Sequence, residues 1–454
     1  MQEKGFRENW LDKLSPFQMI ALFYLMAVTI SCILLGMPVA HKDGVDLTFI
    51  ELLFTSVSAV SVTGLTVISV VDTFNTFGIF LLAFVLQFGG IGIMTLGTFI
   101  WIIIGKKIGL RERRLIMTDQ NQVTFRGMVR LMIEILKIII FIELIGFIIL
   151  STYYLRYFPT WEEALLQGFF ASISATTNAG FDITGQSLIP FKNDYFVQFI
   201  QIILIILGSI GFPVLVEVKQ YLLTAPDKRK NIRFSLFTKV TSLTYFILVV
   251  VGFLFLILLE WNHYFAGEKW HEIIFYGLFQ SVTTRSAGLA TMDVSMLTEQ
   301  SQLIMSALMF IGASPSSVGG GIRTTTFALM IIFLLTFARG KRRIHIFRRE
   351  IHDEDLFKAV TVTIMALFIC FGATTVLTIT EPFPLMPIIF EVASAFGTTG
   401  LSMGITPDLT TTGKIIIILL MFIGRIGILT FLFSFNTEKK QGEYHYPKER
   451  IIIG

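Results

Sequence analysis

Four short stretches of the chain join glycine to small and polar residues. They are Ser61-Val62-Thr63-Gly64-Leu65, Thr176-Thr177-Asn178-Ala179-Gly180-Phe181, Thr284-Arg285-Ser286-Ala287-Gly288-Leu289 and Gly397-Thr398-Thr399-Gly400-Leu401. Such stretches suit the binding of a partly dehydrated cation. Rows of backbone carbonyls can replace an ion's hydration shell. Glycine supplies the φ > 0 that such a row needs and lets chains approach closely. Ser and Thr hydroxyls can hold the loop or add oxygen ligands. None of the four contains Asp or Glu, which disfavours the carboxylate ring of a divalent-cation pore and suits a monovalent ion. Spacing alone does not choose between monovalent ions.

Gly64, Gly180, Gly288 and Gly400 lie 116, 108 and 112 residues apart, and a near-constant period marks internal repeats. A short apolar segment precedes each one, at 48–61, 161–176, 270–284 and 386–397. As helices these are roughly 18–24 Å long, too short for ~30 Å of hydrocarbon. Thr160 with Glu163 fits a capping box, and Pro387 fits an early helical position. One copy alone reads equally well as a surface helix followed by a glycine turn. Four copies point to re-entrant helices, each aiming the negative end of its dipole at the membrane centre.

The elements that position them are membrane spans. Of 454 residues, 54% are hydrophobic, 15% are charged and 45 are Phe, with a mean hydropathy of +0.74. A soluble fold needs a more polar surface. Eight spans are predicted near 15–36, 76–104, 128–155, 196–222, 235–259, 302–337, 356–380 and 414–436. Segments 1–13, 105–127, 219–239, 338–358 and 437–454 hold 26 of the 36 Lys and Arg. The positive-inside rule puts these segments, and so both termini, in the cytoplasm. The net charge of +4 follows from this bias and does not indicate nucleic acid. Met1–Lys13 lacks a signal cleavage site, so the first span is expected to be retained.

Catalysis finds no support. Cys32 and Cys370 lie in apolar runs and read as small core residues. The six His have no metal-ligand spacing, and no nucleophile elbow, P-loop or zinc motif appears. The expected fold class is an all-α polytopic membrane protein. Its eight transmembrane helices form four parallel M1–pore helix–M2 repeats with pseudo-fourfold symmetry around one pore. The expected segments are a cytoplasmic N-terminus 1–14, repeats 15–105, 106–224, 225–339 and 340–436, and a cytoplasmic C-terminus 437–454. Each repeat crosses twice, so all share one orientation around an axis along the membrane normal, unlike inverted repeats.

At these residues the chain resembles the membrane subunits of bacterial Ktr potassium uptake systems, within the Trk, Ktr and HKT superfamily. The resemblance runs from about Ser15 to Asn436 and rests on four glycine stretches in order, including TTNAGF at 176–181 and SAGL at 286–289. It implies a potassium filter of Val62, Thr63, Gly64, Asn178, Ala179, Gly180, Ser286, Ala287, Gly288, Thr398, Thr399 and Gly400. Sodium-selective relatives carry Ser at the first glycine; here it is Gly64, which implies potassium. Trk-type relatives usually have two further N-terminal spans, so the lack of them favours Ktr.

The sixth span is interrupted by Gly312-Ala313-Ser314-Pro315-Ser316-Ser317-Val318-Gly319-Gly320-Gly321, a run that no helix sustains unaided. It reads as a packing kink or a true loop, and the resemblance implies an intramembrane gate. Arg425, inside the last span, is a costly charge that marks an ion path or a structural pairing. The resemblance puts it in the path, as part of the barrier. Arg323 reads more as an anchor. Arg285 is expected behind the filter, bonding carbonyls or an acid such as Glu51 or Glu391, and Asn178 is expected to be a scaffold amide.

The resemblance further implies a homodimer in the lipid of the bacterial plasma membrane. That dimer sits on a cytosolic, nucleotide-binding Ktr-type RCK regulatory ring, with ATP or ADP on the partner and no cofactor on this chain. Lys341-Arg342-Arg343 and Arg348-Arg349 either meet an acidic partner or simply set topology. Sodium stimulation is common in that family, and no residue here decides it. The competing reading is an ion-coupled symporter of a small solute. It needs an intramembrane acid, for which Glu134, Glu143 and Glu217 are the candidates.

Overall fold

The computed structural model describes residues 14–92, 127–229, 232–341 and 343–434, with isolated positions between 95 and 117 and at 447 and 449. Residues 1–13, Arg342, most of 93–126 and most of 435–454 lie outside this description. They include the far half of the predicted second span and three of the five basic segments.

Side-chain caps set where many of the helices begin. Ser15 and Gln18 form a capping box on α1 (Pro16–Leu35), and Thr48 with Glu51 forms another on α2 (Phe49–Ser61). Asn75 caps α3 (Thr76–Ile91), and α4 (Met128–Tyr154) follows. Thr160 accepts from the Glu163 N–H at the start of α5 (Trp161–Thr176), so half of the expected capping box forms there. Asp194 caps α6 (Tyr195–Ser209), which precedes α7 (Phe212–Leu223). Ser235 caps α8 (Leu236–Glu260), followed by α9 (Trp270–Thr283); Thr298 caps α10 (Glu299–Ile311). The remainder are α11 (Thr324–Ala338), α12 (Asp353–Thr380), α13 (Leu385–Gly397, with Pro387 in its first turn), α14 (Thr411–Ile426) and α15 (Ile428–Ser434).

The burial pattern suits lipid. Phe84, Phe141, Leu254 and Phe371 are exposed on the outside, while Ser58, Ser174, Thr283 and Ser394 are buried. Among the described residues α1, α8 and α12 are long and apolar enough to span on length and composition. The protein is a helical polytopic membrane protein.

Two predicted spans are not single helices. The 196–222 span is α6 and α7, bent by 107°, and the 414–436 span is α14 and α15, bent by 100°. The cause is local. Gly92, Gly211, Gly312 and Gly427 end α3, α6, α10 and α14 with φ of 91°, 107°, 71° and 84°. These are left-handed angles at which a helix cannot continue. Pro213 then stands in the first turn of α7. One exception to the all-α expectation is a small hairpin pairing His345–Ile346 with Arg349–Glu350. Phe347 and Arg348 turn it with positive φ.

The helix packing closes on itself. The short helices α5, α9 and α13 rest on α3, α6 and α10 respectively, and α2 rests on α14. Each thus leans on a helix from the preceding quarter of the chain, and the first leans on the last.

Candidate permeation site

The four glycine stretches leave their short helices by one backbone route. Val62, Asn178, Ser286 and Thr398 take positive φ (56°, 49°, 80° and 46°), and so do Gly64, Gly180, Gly288 and Gly400 two residues later (94°, 69°, 73° and 96°). Alternating backbone handedness turns successive carbonyls toward one side. The intervening N–H groups point the other way, into the helix ends. Thr63 donates to Ser58 O at 2.9 Å, Ala179 to Ser174 O at 2.8 Å, Ala287 to Thr283 O at 2.9 Å and Thr399 to Ser394 O at 2.8 Å. With the N–H groups satisfied behind, the carbonyls are left to face forward.

Side-chain hydroxyls brace each stretch from the rear. Gly64 N–H donates to Ser58 Oγ at 3.1 Å, and Gly400 N–H donates to Ser394 Oγ at 3.0 Å. Ser174 Oγ donates to Phe181 O and Thr283 Oγ1 to Leu289 O, both at 2.5 Å. These four hydroxyls were missed in the sequence, although Ser58, Ser174 and Ser394 each stand six residues before a glycine. With its amide nitrogen turned toward Ala175 O at 2.8 Å and its oxygen toward Ser209 N at 3.3 Å, Asn178 bonds to backbone on both sides.

The four glycines meet. A Cβ built on Gly64 would stand 2.5 Å from Ala179 O, and one on Gly180 would stand 3.1 Å from Ala287 O. One on Gly288 would strike Thr399 O, and one on Gly400 would strike Thr63 O. The contacts run from the first stretch to the second, third and fourth and back to the first. Carbonyls of Thr63, Ala179, Ala287 and Thr399 therefore sit at one closed ring, and any side chain there would collide with a neighbour's backbone.

The 312–323 loop lies against this ring. Gly320 N–H donates to Ser286 Oγ at 3.3 Å, and Ser286 Oγ donates to Gly397 O at 2.7 Å. On its other flank the loop is tied to the α6–α7 break. Ser314 N–H donates to Ser209 O at 3.1 Å, Val318 N–H to Gly208 O at 3.3 Å, and Phe212 N–H to Ser316 O at 2.8 Å. Ser317 Oγ bonds Ser314 O at 2.6 Å, and Arg323 Nη1 bonds Gly319 O. Ala313, Ser314 and Val318 are buried.

Beyond the loop opens a cavity of about 600 Å³, lined by Pro315, Ser316, Gly321, Arg323, Arg425 and the break glycines Gly92 and Gly427. Arg425 is buried and donates to Gly89 O. Among the described residues the acid that lines it is Asp355, with Lys358 beside it in the lining, and none of the three glutamates considered does so. Glu134 is paired with Lys219 at 2.6 Å, Glu217 accepts from Ser235 N at 3.0 Å, and Glu143 accepts from Gln87.

Arg285 is fully buried behind the third stretch. Its guanidinium donates to Leu308 O at 3.2 Å and to Gly312 O, and lies over the Tyr245 ring. Carbonyls hold it, not the acids considered as partners. Glu51 caps α2 through Thr48, and Glu391 accepts from Ser402 at 2.9 Å and from Thr406.

A family model described as "Cation transport protein", TrkH, matches residues 12–446. The chain is 60% identical over 444 residues to "Ktr system potassium uptake protein D" of Bacillus subtilis, covering 98% of each. It is 34% identical to "Potassium/sodium uptake protein NtpJ" of Enterococcus hirae, covering 97% of this chain and 98% of that one. The crystal structure of the potassium transporter TrkH from Vibrio parahaemolyticus superposes with a TM-score of 0.72 at 18% identity. That match covers 96% of this chain and 87% of the other. These names describe transport, not catalysis, in keeping with the non-enzymatic reading of the sequence.

Proposed function

The chain belongs to the TrkH family of cation transport proteins, as a Trk/Ktr-type membrane subunit, and from that premise we propose that it takes up potassium through a channel-like filter. The observation that carries this reading is the closed ring of Gly64, Gly180, Gly288 and Gly400, with a carbonyl from the preceding residue at each junction. Four short helices direct their C-terminal ends at it, which favours a cation there. Carbonyls without carboxylates suit a monovalent ion, and the name of the relative at 60% identity specifies potassium.

In this reading the eight predicted spans form four parallel span–pore helix–span repeats around one pore. The filter comprises residues 62–64, 178–180, 286–288 and 398–400. The 312–321 loop and Arg425 together form the barrier beneath it, and the cavity lined by Arg425 is the inner vestibule. A homodimer in the bacterial plasma membrane, with both termini cytoplasmic, docks on a nucleotide-binding ring that controls the barrier. Supporting this are the relatives named as parts of a Ktr system and the basic connection at 338–358. Sodium stimulation is part of the proposal, since one relative is named for both ions.

The deciding experiment is cation flux into vesicles reconstituted with this chain, measured with potassium and with sodium as the only permeant ion. Potassium flux that needs no co-transported solute supports the proposal. Flux that appears only with a solute supports the symporter.

A further inference from the structure

Gln87 stands on α3 and Glu143 on α4, and Gln87 Nε2 donates to Glu143 Oε2 at 2.8 Å. Glu143 is only 9% exposed. Ser172 Oγ, near the inner end of the short helix α5, donates to the Glu143 backbone carbonyl at 2.8 Å, so Glu143 is level with that inner end. The other carboxyl oxygen, Glu143 Oε1, is buried without a hydrogen-bond partner, and so is Gln87 Oε1. One bond already joins these two planar groups, and each keeps an acceptor with nothing to accept. A single proton removes both defects. Placed on Glu143 Oε1, it makes a hydroxyl that donates to Gln87 Oε1 and closes a two-bond acid–amide pair.

Among the described residues no cation pairs with Glu143, and Lys137, six residues away on its own helix, lies 3.8 Å from Glu134 instead. Neither α3 nor α6 carries a charged residue, and the acids of α5 are Glu162 and Glu163 at its opposite end. Lys219 of α7 pairs with Glu134, nine residues from Glu143 and about 13 Å along α4. A carboxylate buried with one hydrogen bond and no counter-ion is strongly disfavoured, whereas a neutral acid with both bonds made is not.

We propose that Glu143 is a proton-binding site, its neutral carboxyl locked to Gln87 in a two-bond pair that fixes the inner end of α3. That end matters because Gly89, two residues beyond Gln87, supplies the carbonyl that holds Arg425. Resting on the proposed barrier role of Arg425, Glu143 is thus a positioning residue for that barrier, acting through α3.

Infrared spectroscopy of the full chain in lipid at neutral pH tests this without regard to which ion is moved. The wild type should show a protonated-carboxyl C=O band with a component that Glu143→Gln abolishes. Any remainder belongs to other buried acids such as Glu391. Gln87→Leu should shift that same component, because it removes both bonds. Equal acid-carbonyl intensity in wild type and Glu143→Gln would overturn the proposal. If Glu143→Gln does not fold, an unshifted band in Gln87→Leu would overturn it equally. In flux measurements without the partner, Glu143→Ala should leak more than Glu143→Gln, which restores a donor facing Gln87. Equal leak would overturn the positioning role while leaving the infrared result to decide the proton.

Discussion

Gly64 carries two constraints at once. Its φ of +94° disfavours any side chain by about 1–2 kcal/mol, and a Cβ there would press on Ala179 O in the next stretch. Gly64→Ser therefore displaces one carbonyl of the ring and should cut potassium-over-sodium preference by about tenfold, some 1.4 kcal/mol. Competition flux in vesicles measures this, and an unchanged ratio would detach Gly64 from selectivity. Arg425 is the second residue-scale case. A buried cation beside an ion path is a barrier to other cations, so Arg425→Ala should raise flux measured without a cytosolic partner, and flux equal to wild type would remove that role. At this scale the sequence displayed the glycines and both arginines, because a glycine or a charge stands out in an apolar run. It concealed Ser58, Ser174, Thr283 and Ser394, whose hydroxyls look like ordinary helix serines and threonines until the folded chain puts a backbone group against them. It also offered Glu51 and Glu391 as partners for Arg285, because composition cannot reveal that helix-end carbonyls will satisfy a guanidinium.

Among the elements, the breaks in α3, α6, α10 and α14 were legible at only one of four places. The glycine-rich run after Ile311 announced itself. The others, each with a second glycine three residues earlier (Gly89, Gly208 and Gly424), lie in predominantly apolar stretches, and hydropathy counting passes straight through them. A subtler signal is present: Ile91-Gly92, Ile210-Gly211, Ile311-Gly312 and Ile426-Gly427 all place the break after isoleucine. Gly427 isolates the backbone's share, since a Cβ there meets nothing within 4 Å. Gly427→Ala should thus change function through its left-handed φ alone, lowering stability by about 1–2 kcal/mol and altering the α14–α15 bend. Thermal unfolding in detergent would register this, and a wild-type melting point would mean the bend has other supports. The loop is a separate element with a separate test. Deleting residues 314–319 removes its ties to Ser209, Gly208 and Phe212 and should raise partner-independent flux. An undiminished barrier after deletion would show that the loop does not gate. Ser286 lies where the loop meets the glycine ring, accepting from Gly320 and donating to Gly397.

For the whole molecule, composition was enough to read a polytopic chain, because lipid acts on averages over many residues, and the placement of Lys and Arg supplies the sidedness that is proposed for it. Assembly leaves no such average, and one surface stands out as a testable docking face. In the basic connection, Arg343 and Glu350 pair at 3.6 Å with both side chains largely exposed, and Arg348 turns the hairpin. Exposed pairs of this kind contribute at most about 1 kcal/mol to folding, so reversing the charges leaves the fold standing. An acidic partner would still respond strongly, because such attraction governs association rate and register. The double change Arg343→Glu with Arg348→Glu should therefore leave flux of the isolated chain unchanged and weaken stimulation by the proposed nucleotide-binding ring. Raising ionic strength toward 1 M, where the screening length falls to about 3 Å, should weaken wild-type stimulation in the same way. Full stimulation of the double variant at low salt would assign these arginines to topology alone and move the docking face elsewhere on the cytoplasmic side.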